Sequence, residues 1–309
     1  MSYIIGLDIG GTFVKGIALK EGKSLYETEI PTVTGDGIAD CLEELTEKLV
    51  LGCGAVFSQV VGVGVGCPGV IASDTGTVVR AANLDLENYP LKAVLQEKLG
   101  IEVRICNDAN AAALGEARFG AGKGYSDSVL ITLGTGVGGG IVLGGKLFEG
   151  NRSAGAEIGH MVIERNGYRC SCGRYGCFEV YCSARALTQR TKEAMEDDTA
   201  SAMWKTYTYD TVDGRTAFEY MDTDSSARKV VDRYLKYLAC GVANIANIFR
   251  PQVIMIGGGL SAQGTRLTGP LQALVDKEIF VPDYAPVEIK CASLGNRAGA
   301  YGAAALFLE

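Results

Sequence analysis

Residues 3–19 read YIIGLDIGGTFVKGIAL, and residues 128–148 read SVLITLGTGVGGGIVLGGKLF. In each stretch an apolar run leads into a glycine turn and then into a second apolar run, which predicts the start of a β-hairpin. Further predicted α/β segments follow, at residues 60–71, 101–119 and 251–260, and each begins with a strand. The repeated plan predicts two mixed α/β domains that face one another across a cleft.

The composition is that of an ordinary globular protein and excludes several classes. The chain has 309 residues, enough for two domains, with 47% hydrophobic and 21% charged residues. A net charge of −7 without any basic run argues against a nucleic-acid surface. No signal peptide or apolar membrane span is predicted, and scattered apolar cysteines favour reduced thiols over disulfides. We therefore expect a cytoplasmic protein.

The first glycine turn has a pattern suited to binding phosphate. Gly10 and Gly11 let backbone N–H groups approach an anion, and Thr12 adds a hydroxyl. Asp8 offers carboxylate oxygens to Mg²⁺ or its waters, and Lys15 offers positive charge from the returning strand. The alternative is a plain hairpin. The turn lacks the Gly-Lys-Ser/Thr of a Walker loop, and it opens no helix as a dinucleotide-binding fingerprint would.

Two further glycine clusters lie in the second half of the chain. One reads GTGVGGG at residues 134–140, and the other comprises the three glycines at 257–259, which end a predicted strand. Together with the first turn they indicate a nucleotide site divided between the two halves of the chain. The predicted nucleotide contacts in these clusters are Gly134, Thr135, Gly136, Gly138, Gly257, Gly258 and Gly259.

The only histidine of the chain stands ten residues ahead of its tightest cysteine cluster. The spacing is His160-x9-Cys170-x-Cys172-x4-Cys177. Three thiolates and one imidazole fill the four tetrahedral positions that Zn²⁺ prefers, and this leaves no open position for a catalytic water. The pattern therefore predicts structural zinc, with a core histidine beside unrelated cysteines as the alternative.

Five motifs together resemble the ROK family of sugar kinases and repressors. In chain order they are Asp8-x-Gly-Gly-Thr, Asn107-Asp108-x-Asn110, the Gly-Thr-Gly turn at 134–136, Glu157-x-Gly-His160, and Cys-x-Cys-Gly-x-x-Gly-Cys-x-Glu ending at Glu179. The resemblance runs from about residue 3 to the C-terminus. Within the family the chain is most similar to bacterial ATP-dependent glucokinases, notably at residues 76–86 and in the Cys-Pro-Gly turn at 67–69. It departs from the family at Phe13, where many relatives have a second lysine.

The resemblance implies a fold and a domain organisation. The implied fold is the actin-like ATPase (ribonuclease H-like) fold shared with hexokinases, with two α/β domains around a central cleft. We expect a small N-terminal domain at residues 1–115 and a large domain, carrying the zinc site, at residues 116–294. A C-terminal helix at about residues 295–309 is expected to pack back onto the first domain.

The resemblance also implies transfer of the γ-phosphoryl group of ATP to the 6-hydroxyl of a hexose, and glucose is the expected substrate. Such a transfer needs a base beside the attacking oxygen, a role that we assign to Asp108 at the end of a predicted strand. N-capping of the Ala-rich helix that follows is the alternative role of Asp108. Asn107 can exchange hydrogen bonds with sugar hydroxyls, and Asn110 is interpreted as a cap or packing residue.

Glu157, His160 and Glu179 complete the expected sugar site by resemblance. Zinc on one imidazole nitrogen would leave the other protonated, so that His160 becomes a fixed donor to a sugar hydroxyl. The two glutamates would accept hydrogen bonds from ring hydroxyls, and a solvated acidic face is their alternative role. Gly66, through its backbone, and Asn83, through its amide, are further candidates.

The expected cofactors are ATP, Mg²⁺ and structural Zn²⁺, and the expected partners are a hexose and, by resemblance, a second copy of the chain in a homodimer. No nucleic-acid or membrane partner is expected. One alternative is another ROK kinase, acting on N-acetylmannosamine, N-acetylglucosamine, fructose or a β-glucoside. A second is a non-catalytic sugar-sensing repressor, which would need a helix-turn-helix ahead of the first strand. A structural zinc protein without catalysis would not explain Asp108 or the paired glycine turns.

Overall fold

A computed structural model describes residues 2–308 of the protein. Met1 and Glu309, the ends of the predicted N-terminal domain and C-terminal helix, lie outside the described residues. The first elements are β1 (Tyr3–Ile9), β2 (Phe13–Lys20), β3 (Lys23–Pro31), α1 (Ile38–Gly52), β4 (Val60–Cys67), β5 (Val70–Ala72), β6 (Thr77–Ala81), β7 (Leu86–Tyr89), α2 (Leu91–Leu99), β8 (Glu102–Asn107) and α3 (Asp108–Phe119). The later elements are β9 (Ser128–Leu133), β10 (Val137–Leu143), β11 (Lys146–Phe148), α4 (Glu179–Cys182), α5 (Ala184–Asp197), α6 (Thr216–Tyr220), α7 (Ser225–Phe249), β12 (Val253–Gly257), α8 (Thr265–Glu278), β13 (Glu288–Cys291) and α9 (Ala298–Ala305).

The first five-stranded sheet has the order β3-β2-β1-β4-β8. The hairpin predicted over residues 3–19 is confirmed, because β1 and β2 pair antiparallel with Asp8 opposite Lys15 and Ile9 opposite Val14. β4 lies parallel to both β1 and β8. The carboxyl ends of β1, β4 and β8 therefore meet at one edge of this sheet, where open α/β sheets bind their ligands.

The second five-stranded sheet has the order β11-β10-β9-β12-β13, and β5, β6 and β7 form a separate three-stranded sheet. β9 and β10 are neighbours joined by the turn at residues 134–136, as the second hairpin pattern predicts. β12 is parallel to both β9 and β13, with Gly257 opposite Thr132. The glycine clusters that follow β9 and β12 are therefore placed at the same edge.

Glycines on one face of the first sheet let α9 approach the strands closely. Gly6 and Gly64 are register partners on β1 and β4. A Cβ atom would lie 2.0 Å from the carbonyl oxygen of Ala300 if added at Gly6, and 1.8 Å from that of Ala303 if added at Gly64. The opposite face packs apolar side chains against α1. The fully buried members of that core include Ile5, Leu7, Leu42, Leu45, Val63 and Val65.

The chain divides into two compact units. The first comprises residues 1–126, 140–156 and 293–309, and the second comprises residues 127–139 and 157–292. Residues 116–126 and 140–156 thus belong to the first unit, whereas the predicted boundary at 115/116 assigns them to the second domain. Within residues 2–308, no helix combines the length and apolarity that crossing a bilayer requires.

Candidate active site and metal centre

Asp8, Gly66 and Asp108 meet at the carboxyl edge of the first sheet. Gly66, near the end of β4, is the register partner of Asp8 on β1 and of Cys106 on β8. A Cβ atom at Gly66 would lie 3.4 Å from Asp8 Oδ1 and 3.7 Å from the Cα atom of Asp108. Gly66 therefore lies next to both Asp8 and Asp108, and it places no side chain between them.

Asn107 caps the helix that carries Asp108. Its Oδ1 accepts hydrogen bonds from the backbone N–H groups of Ala109 and Asn110 at 2.9 and 3.2 Å, and its Nδ2 donates to the carbonyl oxygen of Gly69 at 3.0 Å. Asp108 is the first residue of α3, and its Oδ1 accepts from the Ala109 N–H at 2.9 Å. The capping role considered for Asp108 thus falls to Asn107, whose amide is engaged within the protein at both ends.

The two carboxylates at this edge have perturbed acidities. Burial raises the pKa of Asp108, and hydrogen bonds from Ala109 and Asn107 oppose part of that shift. Burial, followed by the charge of Asp108, raises the pKa of Asp8 to about 7, while Lys15 acts in the opposite direction. Asp108 is consequently a stronger base than an ordinary aspartate. Asp8 is a carboxylate that either a proton or a cation would stabilise.

The first glycine turn is closed internally by its own backbone. The N–H of Gly10 donates to the carbonyl of Phe13 at 3.0 Å, and the carbonyl of Gly10 accepts from Thr32 Oγ1 at 2.7 Å. Gly11 and Thr12 are exposed, and a Cβ atom added at Gly11 would meet nothing within 4 Å. The tip of the turn is therefore accessible to an anion.

Gly299 is a site residue that the sequence analysis missed. It lies on α9, and a Cβ atom there would come within 2.3 Å of Asp8 Cγ and 2.5 Å of both carboxylate oxygens. The sequence predicts the helix but carries no signal for this contact, because Asp8 and Gly299 are far apart in the chain. Gly299 thus contributes to the burial that raises the pKa of Asp8.

Asn83 is exposed on a 3₁₀ turn, Ala82–Leu84, between β6 and β7. Gly69, which accepts the Asn107 amide, has φ +98°, and a Cβ atom there would lie 2.9 Å from the Cα atom of Ala81. The Cys-Pro-Gly turn therefore contacts both the segment of Asn83 and the cap of α3.

His160, Cys170, Cys172 and Cys177 converge in the second unit, and their ligand atoms all lie within 4.8 Å of one another. Cys172 Sγ is 3.7 Å from Cys177 Sγ, and Cys170 Sγ is 3.7 Å from His160 Nδ1. Tetrahedral thiolates bound at about 2.3 Å from zinc lie about 3.8 Å apart, so the donor set fits Zn²⁺. Because Nδ1 faces the thiols, a metal bound there would leave Nε2 as the ring nitrogen that carries a proton.

The backbone holds the two ligand-bearing segments together. Phe178 N–H donates to the carbonyl of Met161 at 2.7 Å, and Val162 pairs with Cys177 in an isolated bridge. Burial raises the pKa of Cys177 to about 12, whereas a backbone hydrogen bond from Arg174 lowers that of the exposed Cys172. Binding of a divalent metal would deprotonate both thiols.

The second glycine turn, residues 134–138, contacts both ligand-bearing segments. Gly134 N–H donates to the carbonyl of Gly136 at 3.0 Å, and Val137 N–H donates to Glu179 Oε2 at 3.1 Å. A Cβ atom at Gly159 would lie 2.0 Å from the carbonyl oxygen of Val137. The turn is therefore held between Glu179 and the segment of His160.

The third glycine cluster lies beside the second turn. Gly257 ends β12, and the next residue, Gly258, has φ +77°. A Cβ atom added at Gly258 would lie 2.5 Å from the carbonyl oxygen of Leu133. Gly259 begins the 3₁₀ helix Gly259–Gln263. The cluster at 257–259 therefore lies against Leu133, the residue that precedes the second glycine turn, and the nucleotide site expected at these glycines stays a prediction.

Glu157 and His160 share one tight turn. Glu157 is exposed, and its carbonyl accepts a hydrogen bond from the N–H of His160 at 3.0 Å. The short 3₁₀ helix Ile158–His160 fixes this spacing. The second unit therefore carries Glu157, His160 and Glu179 on two segments that backbone hydrogen bonds join.

Comparison with known proteins identifies the class. The family model described as "ROK family" matches residues 4–309. A glucokinase from Halalkalibacterium halodurans is 36% identical over 307 residues, covering 97% of this chain and 93% of that protein. A xylose repressor from Caldicellulosiruptor bescii is 30% identical over 314 residues, covering 99% of this chain and 78% of the repressor. The crystal structure of a ROK family glucokinase from Streptomyces griseus, in complex with glucose and AMPPNP, is 34% identical, covers 99% of both chains and has a TM-score of 0.78.

These matches confirm the fold class predicted from the motifs, the actin-like ATPase fold. The chain belongs to the ROK family.

Proposed function

We propose that the protein is an ATP-dependent hexose kinase that phosphorylates the 6-hydroxyl of glucose. The observation that carries the proposal is the full-length similarity to glucokinases, in a chain that retains Asp108, both hairpin turns and the zinc-ligand set. Glucose and AMPPNP are the ligands of the Streptomyces griseus relative, and their counterparts here would be glucose and ATP.

Asp108 is the proposed base. As the 6-oxygen of the hexose attacks the γ-phosphorus, Asp108 takes the hydroxyl proton. The bond between the γ-phosphorus and the β,γ-bridging oxygen breaks, and the products are hexose 6-phosphate and ADP. The raised pKa of Asp108 supports this role, because it brings the basicity of the carboxylate closer to neutral pH. Asn107 orients Asp108 by capping α3.

The phosphate groups are assigned to the glycine clusters that the sequence predicts as nucleotide contacts. In the first unit the proposed contacts are Gly10, Gly11, Thr12 and Lys15. In the second unit they are Gly134, Thr135, Gly136, Gly138, Gly257, Gly258 and Gly259. Asp8 would hold Mg²⁺ or its waters, and the ion would neutralise charge on the phosphates. The pKa of Asp8 near 7 supports this assignment, since a nearby cation favours the ionised carboxylate.

The sugar is assigned to the residues that the family resemblance implies. His160 Nε2 would donate to one hydroxyl, and Glu157 and Glu179 would accept from others, while Gly66, Asn83 and Asn107 are the proposed contacts in the first unit. Structural Zn²⁺ would be held by His160, Cys170, Cys172 and Cys177. Its role would be to hold the imidazole in one orientation.

A coupled assay of ADP release over glucose, fructose, N-acetylglucosamine, N-acetylmannosamine and a β-glucoside tests the proposal. Turnover with glucose far above the others supports a glucokinase. Preference for another sugar would move the protein to a different ROK kinase. Sugar binding without turnover would favour the repressor-like alternative, for which the xylose repressor relative is the specific observation. The homodimer, which the resemblance implies, and the cytoplasmic location, which the composition and cysteine usage predict, stay predictions, and light scattering of the purified protein tests the first.

A further inference from the structure

We propose that the zinc cage, formed by His160, Cys170, Cys172 and Cys177, positions the second glycine turn through Glu179 and so sets the affinity for nucleotide. Glu179 is then a positioning residue for the phosphate site, in addition to any contact with sugar. The inference rests on the proposed function, because it takes residues 134–138 as part of the nucleotide site. All the groups involved lie in the second unit.

The Glu179 carboxylate connects the cage to the turn. Its Oε2 accepts a hydrogen bond from Val137 N–H at 3.1 Å, and its Oε1 lies 3.8 Å from Cys170 Sγ. A Cβ atom at Gly136 would lie 2.4 Å from Oε2, so the carboxylate occupies the space that a side chain in the turn would need. The Cys170 contact has a thiol donor whose proton zinc would displace, so the link from the loaded cage to Glu179 runs along the chain from Cys177.

The position of Glu179 depends on the cage. Glu179 begins α4, which has only four residues, two positions after Cys177. Between them Phe178 is fully buried, and a Cβ atom at Gly241 of α7 would lie 2.3 Å from the Phe178 ring. A helix this short has little stability of its own, so its placement relies on these neighbouring anchors. Loss of the metal would release the anchor at Cys177 and leave only the packing of Phe178.

The segment of His160 contacts the second glycine turn at the carbonyl group of Val137, whereas Glu179 contacts the N–H group. The carbonyl oxygen of Val137 lies so close to Gly159 that a Cβ atom there would be 2.0 Å away. The N–H of Val137 is held by Glu179, and its carbonyl is packed against the residue next to His160. Both backbone groups of Val137 thus contact segments whose spacing the cage determines.

The start of the turn is held by the chain that continues from α4. Ala184 N–H, in the first turn of α5, donates to the carbonyl of Gly134 at 2.8 Å, and Ser183 caps that helix. The turn is therefore anchored at Gly134 and at Val137, with Thr135 and Gly136 between the anchors. Preorganised N–H groups bind phosphate without the entropy cost of ordering the loop. A loosened cage should consequently weaken nucleotide binding even when no sugar is present.

The test is calorimetric titration of AMPPNP without sugar. The samples are zinc-loaded protein, protein stripped by a chelator, stripped protein with zinc restored, and the Glu179→Ala and Glu179→Gln variants. Glu196→Gln is the matched control, because Glu196 is an exposed carboxylate on α5. We expect stripping and Glu179→Ala each to raise the Kd by about tenfold, the effect of losing one hydrogen bond to a charged acceptor. Glu179→Gln keeps an acceptor oxygen for Val137 and should stay near the wild type, as should the control.

Linkage supplies a second readout that needs no turnover. If zinc tightens nucleotide binding, nucleotide must tighten zinc binding by the same factor. At equilibrium, a chromogenic chelator should therefore remove less zinc when AMPPNP is present, and Glu179→Ala should abolish that protection while still binding one zinc. This measurement starts from folded, zinc-loaded protein, so it decides the question even if the stripped protein or a variant unfolds.

Equal Kd values for stripped and zinc-loaded protein, or zinc release that AMPPNP leaves unchanged, would overturn the inference and leave the kinase proposal intact. Failure of zinc-loaded wild-type protein to bind AMPPNP at all would instead reject the proposed function, and the coupling with it.

Discussion

Asp108 and Asp8 are neighbouring carboxylates with different surroundings. Asp108 begins a helix whose cap is supplied by Asn107, and its own Oδ1 accepts a hydrogen bond from the Ala109 N–H. Asp8 lies under Gly299 and beside Gly66, and its pKa is raised to about 7 by burial and by Asp108. A pair of acids with distinct environments is suited to distinct roles, one accepting a proton and the other a cation.

Replacement of the proposed base tests the first of these roles. Asp108→Asn keeps the side-chain size and a hydrogen-bonding oxygen but cannot accept the hydroxyl proton, so kcat should fall by about a hundredfold or more. The sugar Kd should change little. Because the pKa of Asp108 is raised, the acid limb of the wild-type kcat profile should lie above the usual aspartate range. Steady-state kinetics of the variant, with the exposed Asp36→Asn as control, checks this, and a kcat near wild type would reject the assignment.

The elevated pKa of Asp8 predicts a pH-dependent stability. The folded state holds a proton on Asp8 up to about pH 7, whereas an unfolded aspartate loses it near its ordinary pKa of about 3.9. Between these values the folded state binds more protons, so stability falls as pH rises and then levels off above pH 7. Ionising Asp8 in the folded state therefore lowers the free energy of unfolding by about 4 kcal/mol at most.

Urea unfolding at pH 5 and pH 8 measures this effect. The difference in unfolding free energy between wild type and Asp8→Asn should favour the variant more at pH 8 than at pH 5. Added Mg²⁺ should shrink that advantage, because a bound cation stabilises the ionised carboxylate. The exposed Asp232→Asn on α7 should show no such pH dependence. A pH-independent difference for Asp8→Asn would contradict the assigned acidity.

At the scale of elements, small residues determine how α9 joins the first unit. Gly302 and Gly115 let α9 and α3 approach at backbone distance, and Gly6 and Gly64 do the same for the sheet. The buried carboxylate of Glu116 then ties the end of α3 to the segment before α9. It accepts hydrogen bonds from the N–H groups of Ala121, Ser293 and Leu294.

Gly64→Ala should therefore destabilise the protein strongly. Its Cβ atom would lie 1.8 Å from the carbonyl oxygen of Ala303 and 2.4 Å from the carbonyl carbon, and neither backbone atom can move aside cheaply. Overpacking of this kind typically costs about 1–3 kcal/mol. Gly269→Ala on α8 is the control, because a Cβ atom there meets nothing within 4 Å. Thermal unfolding should show a lower Tm for Gly64→Ala alone, and an unchanged Tm would contradict the packing described.

At the scale of the whole molecule, the proposed zinc cage is expected to link metal content to function. Cys172→Ser removes an exposed thiol with a lowered pKa from the ligand set. Metal content by elemental analysis should fall, and the KM for sugar should rise, since His160 loses its fixed orientation. Cys53→Ser, which alters a half-buried thiol outside the cluster, should retain metal and KM. Loss of zinc with an unchanged KM would separate the metal from the sugar site.

The sequence alone was sufficient for features set by local spacing. The strand–glycine turn–strand pattern of residues 3–19 predicts a hairpin, because the spacing of apolar residues and the choice of turn residues are both local properties of the sequence. The residue types and spacing from His160 to Cys177 likewise predicted a four-donor set, and the structure brings these donors within 4.8 Å of one another. Asp108 could be placed at a strand end for the same reason.

Only the tertiary structure decided features that join distant parts of the chain. It placed Gly299 on Asp8, gave the helix cap to Asn107, and assigned residues 140–156 to the first unit. It also brought Glu179 to the Val137 N–H, a contact across 42 positions of sequence. Such contacts depend on how strands and helices pack, and a hydrophobic pattern specifies which faces are buried without specifying which residue each face will meet.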